Sequence, residues 1–250
     1  MIPFIGTTLG AALVFFSRKN VTQLAQVSIQ GISSGVMIAA SVWSLLIPAI
    51  ETSVERGQHP LILTCSGFIF GVVAFIGCER LLERTEKQGR AVRKKYGNSL
   101  LPCVAVALHN FPEGMAVGAV FAEAIFSENL AAFSTAIALS LGIAVQNLPE
   151  GAIISIPLYS EGAKKKKAFL LGAASGIVEP IGALGTIMAA EIAVPVLPFL
   201  LGFAAGAMIF AVLDCIFQRE YQRENTAKAV FSLCFSIGFT IMMSLDVLLG

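Results

Sequence analysis

Charged residues are scarce in this chain of 250 residues, where Asp, Glu, Lys and Arg together make up 13%. Soluble domains carry about 25% of these residues. Apolar residues reach 56%, and the mean hydropathy is +0.81. These values exclude a soluble enzyme and a disordered scaffold. The net charge of +1 also gives no field that would steer a nucleic acid to the protein. The expected partner is the lipid bilayer.

The motifs of common soluble metal sites and catalytic sites are also missing. The chain has five scattered cysteines and no C-x-x-C pair, which argues against a disulfide framework and against a cysteine-rich zinc site. The H-E-x-x-H motif of metalloproteases is absent, and so are a phosphate-binding loop and a nucleophile triad. We therefore expect no enzyme activity and no prosthetic cofactor.

Long apolar runs separated by charged breaks predict an all-α integral membrane protein with eight transmembrane helices. Eight spans of about 20 residues need about 160 residues, which the chain can supply. The whole of 1–250 is expected to form one transmembrane domain. The predicted spans are 2–17, 31–50, 60–82, 99–124, 130–157, 168–190, 194–217 and 229–249.

Basic residues predict the orientation of these spans. With this span count, 16 of the 17 basic residues fall on one side of the membrane, and only Arg56 falls on the other. Because positive charge marks the cytoplasmic side, both termini are expected to be extracytoplasmic. Arg18 and Lys19 follow the first apolar run, whereas a secretory signal carries its positive charge before the run. The segment 83–98 is expected to be a mobile cytoplasmic loop within the domain.

Three glutamates lie inside predicted spans. Glu113 is near the middle of span 4, Glu179 is near the middle of span 6, and Glu150 lies about three-quarters along span 5. A carboxylate at the centre of a bilayer costs roughly 2.5–3.5 kcal/mol, so the three together cost roughly 7–10 kcal/mol. A stable bundle needs a compensating cation, a shared proton or a water-filled cavity for these groups.

Spans 4 and 5 contain an internal repeat. Residues 109–114 read H-N-F-P-E-G and residues 146–151 read Q-N-L-P-E-G, 37 residues later. The two spans run antiparallel, so the copies can meet across a two-fold axis in the membrane plane, as in transporters with inverted repeats. Pro112 and Pro149 each remove a helical hydrogen bond, which predicts a broken helix in each half.

The repeated motif supplies side chains that can coordinate a metal ion. His109 and Glu113 are four residues apart and share a helix face, and Gln146 and Glu150 repeat that spacing. Imidazole, carboxylate and amide groups together suit a divalent cation of intermediate softness. In span 2, Met37 lies on a face with three serines. That face fits either close helix packing or a pore-lining stripe with a thioether ligand.

The two N-x-P-E-G motifs resemble those of the ZIP (Zrt/Irt-like) family of divalent metal transporters, most of all its GufA-like bacterial branch. The resemblance covers nearly the whole chain. It implies a site between spans 2, 4, 5 and 6 that moves divalent metal into the cytoplasm, and residence in the inner (plasma) membrane of a bacterium. Zinc is the first expectation for the metal, with cadmium, iron, manganese and cobalt as alternatives.

The resemblance also implies a set of ligands in two adjacent metal positions. One position would take Met37, His109, Glu113, Gln146, Glu150 and Glu179. The other would take Asn110 and Asn147, with the glutamates bridging the two. Many family members have histidine where this chain has Gln146, which is expected to weaken or reshape the first position.

Two questions stay open at this stage. A proton- or sodium-coupled antiporter could use the same glutamates without a transition metal. The spacing of Gly202 and Gly206 fits either helix packing within one chain or the interface of a homodimer.

Overall fold

The computed structural model describes residues 1–19, 22–88, 100–127, 130–217 and 225–249, without the side chains of 82–105, 215, 217 and 249. Every regular element in these residues is helical, as the sequence predicts. The predicted loop 83–98 is still helical up to Gln88, and its remainder lies outside the described residues.

The helices are numbered here along the chain, and a single-turn helix, Ala190–Ala193, precedes the seventh. They are α1 (Ile2–Phe15), α2 (Gln23–Glu55), α3 (Pro60–Gln88), α4 (Leu100–Ser127), α5 (Leu130–Ser160), α6 (Lys165–Met188), α7 (Leu197–Phe217) and α8 (Asn225–Leu249).

Six of these helices are long and apolar enough to cross a membrane within the described residues, namely α2, α3, α5, α6, α7 and α8. The helix α1 is apolar but shorter, and α4, with 28 residues, is not one of the six. The structure thus supports an integral membrane bundle of helices.

The break that the sequence analysis expects at Pro112 and Pro149 occurs elsewhere. Both prolines lie inside continuous helices, so the predicted broken helices in α4 and α5 are wrong. The helix α6 breaks instead, between Lys165–Ser175 and Val178–Met188. Pro180 lacks an N–H group and its ring would clash with the carbonyl of Gly176 in a regular helix, which accounts for a break at this point.

A second irregularity lies in α2, where Ser41–Leu46 form a π-helical segment. Pro48 follows it, and its ring would clash with the carbonyl of Ser44 in a regular helix. Such wide turns inside α-helices are frequent at functional sites. Here the hydroxyl of Ser44 donates a hydrogen bond to Asp246 of α8 at 2.5 Å.

The helices pack in four close pairs, which are α1 with α5, α4 with α6, α2 with α8, and α3 with α7. Glycines allow the backbones in each pair to touch. A Cβ on Gly206 of α7 would overlap the carbonyl of Phe68 in α3, and one on Gly202 would overlap Thr64. The G-x-x-x-G spacing of α7 therefore serves packing within one chain.

Candidate metal site

The polar residues of the two N-x-P-E-G motifs lie in the interior of the bundle. Asn110, Glu113, Gln146 and Asn147 have no exposed surface, and 5% of Glu150 is exposed. The helices α4 and α5 contact each other, and Glu113 of one motif interacts electrostatically with Glu150 of the other. Polar side chains with this degree of burial are costly unless they hold hydrogen bonds or a cation.

Glu179 joins this cluster from the break in α6. It lies in the first turn of the second half of α6, where the free N–H groups of the helix favour a negative charge. Its Oε1 atom accepts two hydrogen bonds, one from the hydroxyl of Thr7 at 2.6 Å and one from Nδ2 of Asn110 at 3.0 Å. Its Oε2 atom is buried and accepts no hydrogen bond of ordinary geometry from the part of the chain that the structure describes, although the amide of Asn147 lies beside this carboxylate.

The three glutamates are close enough to interact electrostatically. Glu113 interacts electrostatically with Glu150 and Glu179, and the amides of Gln146 and Asn147 lie beside it. Among the described residues, neither oxygen of Glu113 or of Glu150 accepts a hydrogen bond of ordinary geometry, and both pairs of oxygens are buried. A cation or a proton placed among these oxygens would relieve the repulsion between them.

Two predicted ligands have other neighbours. The ring of His109 packs against Phe75 of α3, with 5.0 Å between the ring centres. The sulfur of Met37 lies 3.9 Å from the hydroxyl of Ser33, within an apolar cluster of α2, α4, α5 and α7. In the described part of the chain, no three His, Cys, Asp or Glu side chains are arranged to hold one metal ion. All eight ligands that the sequence analysis names, Met37 and His109 among them, therefore stay predictions.

Thr7 is the member of the cluster that sequence reasoning missed. It is fully buried, it carries no charge, and α1 has no charged residue that would mark the helix as functional. One signal was present in the sequence, because Gly6 and Gly10 are four residues apart and such spacing indicates a close helix contact. In the structure both glycines pack against the backbone of α5.

A cavity of about 560 Å³ lies between the C-terminal parts of α2 and α8 and the N-terminal part of α5. Its lining includes Glu51, Glu55 and Asp246, and none of the predicted metal ligands. Ser44 and Asp246 lie against Gly142 of α5. Gly142 precedes Gln146 by four residues, so the cavity reaches to about one helical turn from the polar cluster.

An ion pair joins helices beside this end of the bundle. Arg56, which follows α2, donates to the carboxylate of Glu123 near the end of α4 and to the carbonyl of Val194 before α7. Both side chains of the ion pair are partly exposed, so its contribution to stability is modest, on the order of 1 kcal/mol.

Comparison with known proteins gives one family. The family profile described as ZIP Zinc transporter matches residues 82–246, which include α4 to α7 and most of α8. The matched region contains both N-x-P-E-G motifs and Glu179.

Relatives cover almost the whole chain. A protein of Xenopus tropicalis named zinc transporter ZIP11 is 34% identical over 98% of this chain and 94% of its own length. Zinc transporter ZIPB of Bordetella bronchiseptica is 31% identical over 99% of this chain and 79% of its own length. Zinc transporter GufA of Myxococcus xanthus is 30% identical over 98% and 96%.

Proposed function

The chain belongs to the ZIP zinc transporter family, and from that premise we propose that it moves zinc, or another divalent transition metal, into the cytoplasm through the cluster of Asn110, Glu113, Asn147, Glu150 and Glu179. The observation that carries this proposal is the set of buried carboxylate oxygens in α4 and α5. Transport, rather than catalysis, is its activity, and the metal ion is the substrate.

We propose that all eight helices span the membrane. Besides the six long apolar helices, α1 packs along α5 and α4 packs along α6, so both belong to the bundle. With eight spans, 16 of the 17 basic residues lie on the same side of the membrane, which is the cytoplasmic side by the positive-inside rule, and both termini lie on the opposite side. We also propose a bacterial membrane as its location, since relatives in two bacteria are 30% and 31% identical to this chain.

The inverted repeat proposed for α4 and α5 extends to their partners. Gly114 of α4 meets the carbonyl of Glu179 in α6, and Gly151, its counterpart in α5, meets the carbonyl of Thr7 in α1. Thr7 and Glu179 thus occupy equivalent positions in the two halves, 172 residues apart. This supports a two-fold relation in which α1 corresponds to α6 and α4 to α5.

The remaining helices follow the same relation. Gly35 of α2 meets the carbonyl of Phe235 in α8, and Gly206 of α7 meets the carbonyl of Phe68 in α3. When these two contacts are taken as equivalent, each residue of α2 corresponds to the residue of α7 that lies 171 positions later. Each residue of α3 then corresponds to the residue of α8 that lies 167 positions later. A second set of contacts repeats both shifts, with Gly71 against Phe203 and Gly238 against Ile32. Two independent sets of contacts give the same two shifts, which supports an inverted repeat over the whole chain.

The pairing of helices suggests which parts move. The helices α1, α4, α5 and α6 carry the polar cluster, whereas α2, α3, α7 and α8 form the other two close pairs. We propose that one group of four moves against the other and exposes the cluster alternately to each side. The cavity with Glu51, Glu55 and Asp246 opens on the extracytoplasmic side in this orientation, and its carboxylates would attract cations.

Zinc uptake into proteoliposomes tests the proposal. Glu113→Gln keeps the size of the side chain and removes its charge, and we expect it to abolish uptake. The control is Glu191→Gln, since Glu191 is an exposed glutamate outside the cluster. Unlabelled cadmium, manganese, iron and cobalt as competitors would rank the metals.

Two outcomes would contradict the proposal. If Glu113→Gln transports zinc like the wild type, the cluster is not on the path. If the wild type moves no metal but a pH-sensitive dye reports proton exchange, the protein is a proton-coupled antiporter, and the ligand assignments must be withdrawn.

A further inference from the structure

Thr7 contributes a hydroxyl group from a helix that has no ligand of its own in the cluster. The hydroxyl lies 2.6 Å from Oε1 of Glu179, and both side chains are buried. Nδ2 of Asn110 donates to the same oxygen at 3.0 Å. Oε1 is therefore held by two donors from two helices, while Oε2 accepts no hydrogen bond of ordinary geometry from the described residues, although the amide of Asn147 lies beside this carboxylate.

We propose that Thr7 is a positioning residue for metal binding, which fixes Oε1 of Glu179 so that Oε2 is presented to the metal ion. This inference rests on the proposed function of the cluster. Carboxylates that bind metals are oriented by hydrogen bonds from neighbouring groups, and the loss of such a group typically weakens metal binding 10- to 100-fold.

The backbone around Thr7 explains why α1 can reach the break in α6. A Cβ on Gly176, the residue at the break, would lie 2.9 Å from the Cβ of Thr7, so only glycine leaves room there. On the other side, Gly151 of α5 meets the carbonyl of Thr7. Thr7 is thus held between α5 and the broken part of α6, which gives its hydroxyl one direction.

The inverted repeat gives a second reason to assign this role to Thr7. Because Thr7 and Glu179 occupy equivalent positions, the two halves meet at a pair of unlike side chains rather than at two carboxylates. At this pair of positions, the second half supplies the carboxylate of Glu179 and the first half supplies the hydrogen bond that orients it. Two carboxylates at these positions would repel each other in the interior.

The test compares Thr7→Val, which keeps the shape and removes the hydroxyl, with Thr7→Ser, which keeps the hydroxyl. The matched control is Thr8→Val, because the hydroxyl of Thr8 is buried and makes no hydrogen bond within the described residues. The dissociation constant for Zn²⁺ is measured by titration calorimetry in detergent, and the KM and maximal rate are measured in proteoliposomes.

We expect Thr7→Val to raise the zinc dissociation constant and the KM about 10-fold, with a smaller effect on the maximal rate. Thr7→Ser and Thr8→Val should bind zinc like the wild type. If Thr7→Val does not fold, Thr7→Ala and Thr7→Ser make the same comparison with two smaller side chains.

The inference is wrong if the wild type binds zinc and Thr7→Val, or Thr7→Ala, binds it equally well. It is also wrong if Thr7→Ser loses as much affinity as Thr7→Val, because the hydroxyl would then not be the cause. A wild type that binds and transports no zinc would instead contradict the proposed function.

Discussion

Replacing Gly114 with alanine tests whether the glycine contact between α4 and α6 sets the distance between the glutamates. A Cβ at position 114 would overlap the carbonyl oxygen of Glu179, and it would lie 2.7 Å from the Cα atom and 2.8 Å from the carbonyl carbon of that residue. Ordinary contacts of a Cβ atom begin near 3.4 Å. The two helices must therefore separate locally by up to about 1 Å, because backbone atoms cannot rotate away as the end of a side chain can.

The separation acts directly on the cluster, since Glu113 precedes Gly114 and Glu179 is the residue that the new methyl group would meet. We expect the zinc dissociation constant of Gly114→Ala to rise at least 10-fold, by analogy with the loss of other groups that orient metal ligands. The strain of overpacking should also lower the free energy of unfolding by about 1–3 kcal/mol.

Two controls separate these effects. Gly185→Ala adds a methyl group to the same half of α6 where no atom beyond its own stretch of helix lies within 4 Å. It should leave zinc affinity unchanged and raise the free energy of unfolding by up to about 1 kcal/mol, because alanine favours the helix more than glycine does. Gly35→Ala creates a similar clash between α2 and α8, outside the cluster. It should lower the thermal midpoint in detergent and leave zinc affinity much closer to that of the wild type.

The measurements are zinc titration calorimetry, thermal unfolding and uptake into proteoliposomes on the same preparations. Wild-type affinity and uptake in Gly114→Ala would refute the reasoning, because the helices would then tolerate the extra atom without displacing the carboxylates. Equal losses of affinity in Gly35→Ala and Gly114→Ala would also refute it, since the effect would then be general instability.

Two further predictions follow from the cluster and from the packing of α7. Zinc uptake should fall as the pH on the loading side is lowered from 8 to 5, because protons compete with the metal for the carboxylate oxygens; a flat profile would show that these oxygens do not bind the metal. Gly206→Ala should lower the thermal midpoint without changing the mass in solution measured by light scattering, because Gly206 contacts α3 of the same chain. A change from dimer to monomer would contradict this.

The repeated motif was the part of the site that the sequence could predict. Asn110, Glu113, Asn147 and Glu150 are polar residues at costly positions, and the structure brings them together in the interior. The family was also predictable, since a duplicated motif at matching depth in two spans is specific.

Other features depend on neighbours that no single segment reveals. The helix breaks at Gly176 in α6 and not at Pro112 or Pro149, because a proline inside a membrane helix can be accommodated by the groups around it. Thr7 is an ordinary residue in its own helix, and only the packing of α1 against α5 and α6 turns its hydroxyl toward Glu179.

The ion pair of Arg56 and Glu123 has a kinetic consequence under the proposed movement. Glu123 belongs to α4, in the group of helices that carries the cluster. Arg56 follows the C-terminal end of α2, in the other group, and Val194 precedes α7. Under the proposed movement, the two partners of this ion pair move relative to each other. Because dissolved salt screens a partly exposed ion pair, and this pair contributes only on the order of 1 kcal/mol, we expect ionic strength on that side of the membrane to change the transport rate by a few-fold at most. The guanidinium of Arg56 would thus link the movement of the helices weakly to the salt concentration on that side of the membrane.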